Sequence, residues 1–140
     1  ERYRAEKALK PATRPSRRRE IRKYQELTGI LHEAGVPILA GTDTPEPYVV
    51  PGFSLHQELE MLVESGLSPA EAIKSATINN ARILNQASNL GSIEVGKWAD
   101  LVVLTADPTQ DIRNTRKIES IIRGGKVVKP SILLESVPAE

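Results

Sequence analysis

The stretch that decides the fold is Gly35-Val36-Pro37-Ile38-Leu39-Ala40-Gly41-Thr42-Asp43. Its apolar run has no polar alternation, the pattern of a strand covered on both faces, as in a parallel sheet. Upstream, Ile21, Tyr24, Leu27, Leu31 and Ala34 recur every three or four residues, which places them on one face of a helix that Ser16 can cap. Gly35 supplies a left-handed stop and Pro37 prevents continuation, so this helix is expected to end near Ala34. A helix feeding a buried strand is one αβ step of a parallel sheet. Downstream, Pro45, Pro47 and Pro51 make Thr44 to Gly52 a loop at the carboxyl end of that strand.

Two helices are expected next. Ser54 stands before Leu55 with Gln57 three residues on, a capping-box pattern opening a helix that turns Leu55, Leu59, Leu62 and Val63 inward and stops at Gly66. In Ser68-Pro69-Ala70-Glu71 the serine caps, the proline takes the first helical position and the glutamate reaches back. That helix runs through Ile73, Ala76, Thr77 and Ala81 to about Leu84. Beyond Asn85 the texture becomes strand and turn. Ser92 to Val95 and Ala99 to Leu104 read as strands, and Ile118 to Arg123 and Lys126 to Val128 flank Gly124-Gly125, a two-residue hairpin signal.

With 140 residues, 39% hydrophobic and 26% charged, the chain has the length of about one domain and the balance of a globular one. Nineteen basic residues against eighteen acidic ones leave +1, too little to recruit nucleic acid or an anionic membrane by field alone. The charge is uneven: residues 1–23 hold ten basic and three acidic side chains, and the rest is net acidic. The Arg-rich start has no aromatic ladder beyond Tyr3 and Tyr24, so it reads as a solvated lead-in to a helix and not as a nucleic-acid arm. The absence of cysteine excludes disulfides, thiolate metal sites and cysteine nucleophiles. No apolar run approaches the roughly eighteen residues of a membrane helix. A cytoplasmic location is expected. Glu1 is the first residue and Met61 the only methionine, so the chain is not expected to open on a native start, and a removed signal peptide ahead of it stays open.

Asp43 is the foremost candidate for chemistry. A carboxylate at the end of a buried strand stands where parallel α/β sheets and barrels present functional groups, and it can bind a metal ion or take a proton. The other reading is an aspartate that caps a turn before Pro45. His56, just after the loop that follows Asp43, is positioned so that its ring can face the same mouth, although the more common reading of such a residue is a first-turn surface histidine. Thr44 would stand with it on the rim. His32, near the end of the first helix, suits that end as a surface cation. Two histidines and no cysteine do not make a zinc centre of three or four ligands without unusual carboxylate ligation. Gly124-Gly125-Lys126 lacks the remainder of a phosphate loop, and Asp100 reads as fixing the turn ahead of Leu101 to Leu104.

Beyond the stretch from Gly35 to Asp43, Leu55-His56-Gln57-Glu58-Leu59, Gly66-Leu67-Ser68-Pro69-Ala70-Glu71-Ala72-Ile73, Ala76-Thr77-Ile78-Asn79-Asn80-Ala81-Arg82 and Leu90-Gly91-Ser92-Ile93-Glu94-Val95-Gly96-Lys97-Trp98-Ala99-Asp100-Leu101-Val102-Val103-Leu104 follow in order. Over roughly Glu20 to Val128 the chain resembles the C-terminal part of metal-dependent amidohydrolases, in their imidazolonepropionase-like and Xaa-Pro dipeptidase-like branch. The resemblance implies an α/β fold, the C-terminal portion of a (β/α)8 TIM-type barrel plus strands of a small β-sandwich. It divides the chain into a basic lead-in (1–19), the last barrel helices and strand (20–86), sandwich strands (87–130) and a C-terminal tail (131–140). It implies that Asp43 is the metal-site aspartate, which orients a metal-bound water, accepts its proton and delivers it to a leaving nitrogen. The metal is a divalent ion, often zinc, and the substrate a small amide such as a dipeptide or cyclic amide. His56 matches a frequent position of this branch without being assigned as a ligand.

The early His-x-His pair of such enzymes, their bridging lysine or glutamate and their two later histidines have no counterpart here, and a full barrel needs about 250 residues. The chain is therefore expected to be catalytically silent alone, and to be held against the missing N-terminal part of its enzyme or to self-associate through unpaired strand edges. The competing expectation, from another class, is a free-standing, non-catalytic interaction module built of the same elements.

Overall fold

A computed structural model describes residues 14–44, 46 and 49–129. The first helix, α1, spans Arg14–Glu33. It ends as its sequence demands. Gly35 takes φ 78° and its N–H bonds the His32 carbonyl at 2.9 Å, while Val36 N–H bonds the Leu31 carbonyl at 3.0 Å, the paired closure of a glycine-terminated helix. Its start differs from expectation. Pro15 sits in the first turn, where its missing N–H costs nothing, and Ser16 lies inside the helix, so it is no cap. Residues 14–19, expected to be lead-in, therefore belong to α1; residues 1–13 and the tail 131–140 lie outside the described residues.

Helix α2 (Phe53–Glu64) meets α1 at Gly29. A Cβ there would stand 2.5 Å from the Ser65 carbonyl oxygen, so only glycine permits this approach. Gln25 Nε2 also donates to Glu64 Oε2 across the crossing, at 2.9 Å. The capping box expected at Ser54 does not form. Gly52 caps α2 with φ 79°, and the Ser54 hydroxyl accepts instead from Val50 N–H at 2.8 Å, stapling the incoming loop. Leu59 and Leu62 are buried as expected, whereas Leu55 is exposed.

The second box does form. Ser68 caps helix α3 (Pro69–Ala76), with its hydroxyl accepting from Glu71 N–H and the Glu71 carboxylate accepting from Ser68 N–H at 2.8 Å. The single helix expected to run on to about Leu84 is broken at Thr77, whose backbone takes φ −123° and ψ −97°, and resumes as α4 (Ile78–Ile83). Thr77 explains the break: its hydroxyl donates to the Ile73 carbonyl at 2.8 Å, and its N–H turns to Lys74 O.

Strands β1 (Leu101–Leu104), β2 (Ile118–Arg123) and β3 (Lys126–Val128) form one antiparallel sheet in that order. A register irregularity falls between Val103 and Leu104. The Gly124-Gly125 hairpin is as expected: both glycines have positive φ and Arg123 pairs with Lys126. A 3-10 turn, Ile112–Arg116, connects β1 to β2. Ser92 to Val95 is not a strand; it forms bends and turns, and Ile93 and Val95 are exposed.

The core is small. Ala40, Leu59, Leu62, Leu67, Ala72 and Ile112 cluster where α2, α3 and the 3-10 turn meet, with Ile38, Val63, Ile73 and Ala76 against them. The apolar face of α1 is open, with Tyr24 at 61% and Leu27 at 50% exposure. Nor does 36–43 form a strand among the described residues, although it lies against the core through Ile38 and Ala40. One cause covers both observations: the described residues supply neither a strand to pair with this segment nor a surface to cover α1. The sheet they do form is three-stranded and antiparallel, so neither a closed barrel nor a two-sheet sandwich is present among them. No helix among them is long and apolar enough to cross a membrane.

Candidate active site

The segment that leads to Asp43 has no strand ladder and finds other partners. Ala40 N–H bonds the Ser75 carbonyl at 3.1 Å, Asn79 Nδ2 donates to Ile38 O at 3.1 Å, and Asn80 Nδ2 donates to Ala40 O at 2.8 Å. Gly41 N–H donates to Glu58 Oε1 at 2.6 Å. Side chains of α2 and α4 and one carbonyl of α3 thus satisfy backbone groups that would otherwise be left unpaired beside the core.

Beyond Gly41 the chain turns. Asp43 adopts φ 54°, a left-handed conformation that aspartate tolerates better than most residues, and its carbonyl accepts from Glu46 N–H at 3.0 Å. The hydroxyls of Thr42 and Thr44 bond each other at 2.8 Å, bracketing it. Asp43 and Thr44 are both exposed. Asp43 therefore lies at the end of the expected segment, in a surface turn.

His56 is held at its helix start by the 3-10 turn. Its Nδ1 is 3.0 Å from Thr115 Oγ1 on the 3-10 turn. The Thr115 hydroxyl already donates to the Ile112 carbonyl at 2.8 Å, so the ring nitrogen is the donor, and this assigns the Nδ1–H tautomer. The His56 pKa is lowered from 6.5 chiefly by burial, then by the Arg116 charge, with Glu60 acting the other way. His32 Nε2 stands 3.6 Å from Glu71 Oε1 beside a cavity of about 240 Å³ lined by Val36, Pro37, Lys74 and Asn79, at the start of the segment and away from Asp43. Asp100, expected to fix the turn ahead of Leu101 to Leu104, instead serves the Gly124-Gly125 hairpin, accepting from Gly124 N–H at 2.7 Å and pairing with Arg123 at 3.2 Å.

Neither periodicity nor motif chemistry singles out Glu58, Asn79 or Asn80 as individual residues. A signal is nevertheless present in the adjacent asparagines, which are poor helix formers and sit inside a helix only when their amides find work elsewhere.

Among the described residues no group of three or more His, Cys, Asp or Glu side chains is placed to hold a metal ion. The turn of Asp43 holds one further carboxylate residue, Glu46, and no histidine, so these residues do not by themselves fit a complete metal centre.

The amidohydrolase family model matches residues 11–128. The chain is 38% identical over 102 residues to an imidazolonepropionase of Geobacillus kaustophilus (strain HTA426), covering 70% of this chain and 24% of that protein. Among solved structures it resembles a putative prolidase from Bifidobacterium longum, with a TM-score of 0.67 and 45% identity, covering 72% of this chain and 25% of that one. It also resembles a Xaa-Pro dipeptidase with methionine bound in its active site, with a TM-score of 0.68 and 32% identity, over 75% of this chain and 25% of that one. The chain thus spans about a quarter of the length of the proteins it matches. With a family match across most of its residues, and relatives of both branches that its motifs resemble, this chain belongs to the amidohydrolase family.

Proposed function

We propose that the chain is the C-terminal segment of a metal-dependent hydrolase of carbon–nitrogen bonds in small amides, dipeptides or cyclic amides, and that Asp43 is the catalytic group it contributes. The observation that carries this reading is the anchoring of the segment ending at Asp43, whose backbone is bonded at Ile38, Ala40 and Gly41 from three helices. An isolated surface aspartate needs no such support. In this reading the segment is the last strand of a TIM-type barrel, its ladder supplied by strands outside these residues, and the sheet β1–β3 is one half of a β-sandwich.

Asp43 acts as a carboxylate base: it takes a proton from the attacking water and passes it to the departing nitrogen. The described residues do not form a complete metal site, so a divalent ion, zinc by family resemblance, would depend on ligands from elsewhere. Alone, the chain is inactive, and the open face of α1 is covered either by the remainder of the enzyme or by another copy.

The test is hydrolysis of an acyl-proline dipeptide and of a cyclic amide, with zinc supplied, by the 140 residues alone and by the whole polypeptide of the reading frame that encodes them. The expected result is no turnover by the 140 residues and near-complete loss of turnover in the whole polypeptide on Asp43→Asn. Turnover by the short chain, or full turnover by the Asp43→Asn protein, overturns the reading.

A further inference from the structure

We propose that Glu58 is a positioning residue for Asp43, holding the Gly41 amide and so setting where the turn that carries the Asp43 carboxylate begins; this rests on the catalytic role proposed for Asp43. Three observations lead to it. The bond from Gly41 N–H to Glu58 Oε1, at 2.6 Å, is the shortest of those that hold the segment. It is also the last before the turn: Ala40 N–H and O are taken by Ser75 and Asn80, Gly41 N–H by Glu58, and from there, among the described residues, the Thr42–Thr44 hydroxyl pair and the Glu46 N–H bond shape the chain around Asp43. Finally, Glu58 has a rigid base. Its neighbour Leu59 is 5% exposed and sits in the same core cluster as Ala40, so α2 and the residue before Gly41 are fixed to one another.

A base that must meet a reacting proton within hydrogen-bond reach is sensitive to displacements of about 1 Å, which cost up to roughly a hundredfold in rate. Without Glu58 the segment keeps its bonds at Ile38 and Ala40, so it stays attached, but the start of the turn is released. Glu58 touches no reacting atom in this scheme. Its effect passes through one backbone amide, and it needs an oxygen acceptor at the right reach more than a negative charge.

That requirement separates positioning from a general structural role. In the whole polypeptide of the reading frame, Glu58→Gln keeps an oxygen at the same reach and is expected to retain kcat within about threefold. Glu58→Asp keeps the charge but shortens the side chain by a methylene, and is expected to lower kcat between about tenfold and a hundredfold with KM changed less than about twofold. Glu58→Ala is expected to match Glu58→Asp. If Glu58→Ala does not fold, the Gln and Asp variants still decide the matter.

A second readout does not use turnover. With 15N-glycine labelling, the Gly41 amide proton is expected far downfield in the wild type and in Glu58→Gln, and to move upfield in Glu58→Asp. Gly41→Ala, whose added Cβ meets no atom within 4 Å, identifies the resonance. Unchanged kcat in Glu58→Asp, or equal losses in Glu58→Gln and Glu58→Asp, overturns the proposal. Asp43→Asn serves as the reference: if it retains turnover, the catalytic reading of Asp43 fails; if it is inactive while Glu58→Asp is fully active, only the positioning role fails.

Discussion

Arg116 and Glu60 meet across the junction of α2 and the 3-10 turn, with Arg116 Nη2 2.6 Å from Glu60 Oε1. That oxygen is shielded from solvent and has no well-directed hydrogen bond, so the guanidinium is its charge partner. The same guanidinium lies over the Phe53 ring, 4.9 Å from its centre. One arginine therefore ties two turns of α2 to the segment between β1 and β2.

Replacing Arg116 by alanine leaves the shielded Glu60 oxygen without a partner and removes the guanidinium from the ring. The expected cost is about 1–3 kcal/mol of unfolding free energy, measured by urea denaturation. Arg116→Ala combined with Glu60→Leu is expected to recover part of the loss, because no charge is then stranded. A double variant less stable than the single one would contradict this account.

His56 is expected to titrate below 6.5, since burial and Arg116 both disfavour its cation. A histidine with a lowered folded pKa is protonated more readily in the unfolded chain. It costs no stability above pH 6.5 and destabilises the fold progressively as pH falls from 6.5 towards the lowered value. NMR titration of the ring protons checks the midpoint, and Arg116→Ala should move it upward, with Glu60 left to favour the cation. A midpoint at or above 6.5 in the unaltered chain would refute the assignment.

Gly91 and Gly96 provide a matched pair. Both have positive φ, 94° and 91°, so alanine at either carries the backbone penalty of about 1 kcal/mol. Only at Gly91 would the new Cβ collide, 2.7 Å from Ala81 Cβ and 2.9 Å from Ile78 Cα, whereas at Gly96 it meets nothing within 4 Å. Gly91→Ala should therefore be the more destabilising by about 1–3 kcal/mol in the same urea experiment. Equal costs would mean that α4 does not lie against Gly91.

The open face of α1 predicts association. Tyr24, Leu27 and Ile30 are all half-exposed or more along one helix, an apolar stripe of the kind that marks association. Sedimentation velocity of the 140-residue chain should show concentration-dependent self-association in the micromolar range. Leu27→Glu with Ile30→Glu should weaken it without loss of helical circular dichroism, because glutamate is a good helix former. A single monomeric species at all concentrations would remove this expectation.

How much was legible in the sequence depended on how far apart the interacting groups lie in the chain. The stop at Gly35, the Ser68–Glu71 box and the Gly124-Gly125 hairpin all formed as expected, because each joins groups within a few residues of one another. Ser54 shows that nearness alone is not enough: the box pattern is present, but the hydroxyl accepts from Val50 N–H of the loop instead. The break at Thr77 reflects a competition between hydroxyl and N–H for nearby carbonyls, which periodicity does not register.

The order of motifs by itself determined the family and drew attention to Asp43, since side-chain type and spacing persist whatever covers them. Tertiary structure alone decided that His56 turns to Thr115, that Arg116 answers Glu60, and that Glu58, Asn79 and Asn80 hold the segment before Asp43. These contacts join residues between 17 and 59 positions apart. Such pairs become neighbours only when burial of Ala40, Leu59 and Leu62 in one core brings their elements together, and no local pattern encodes that meeting.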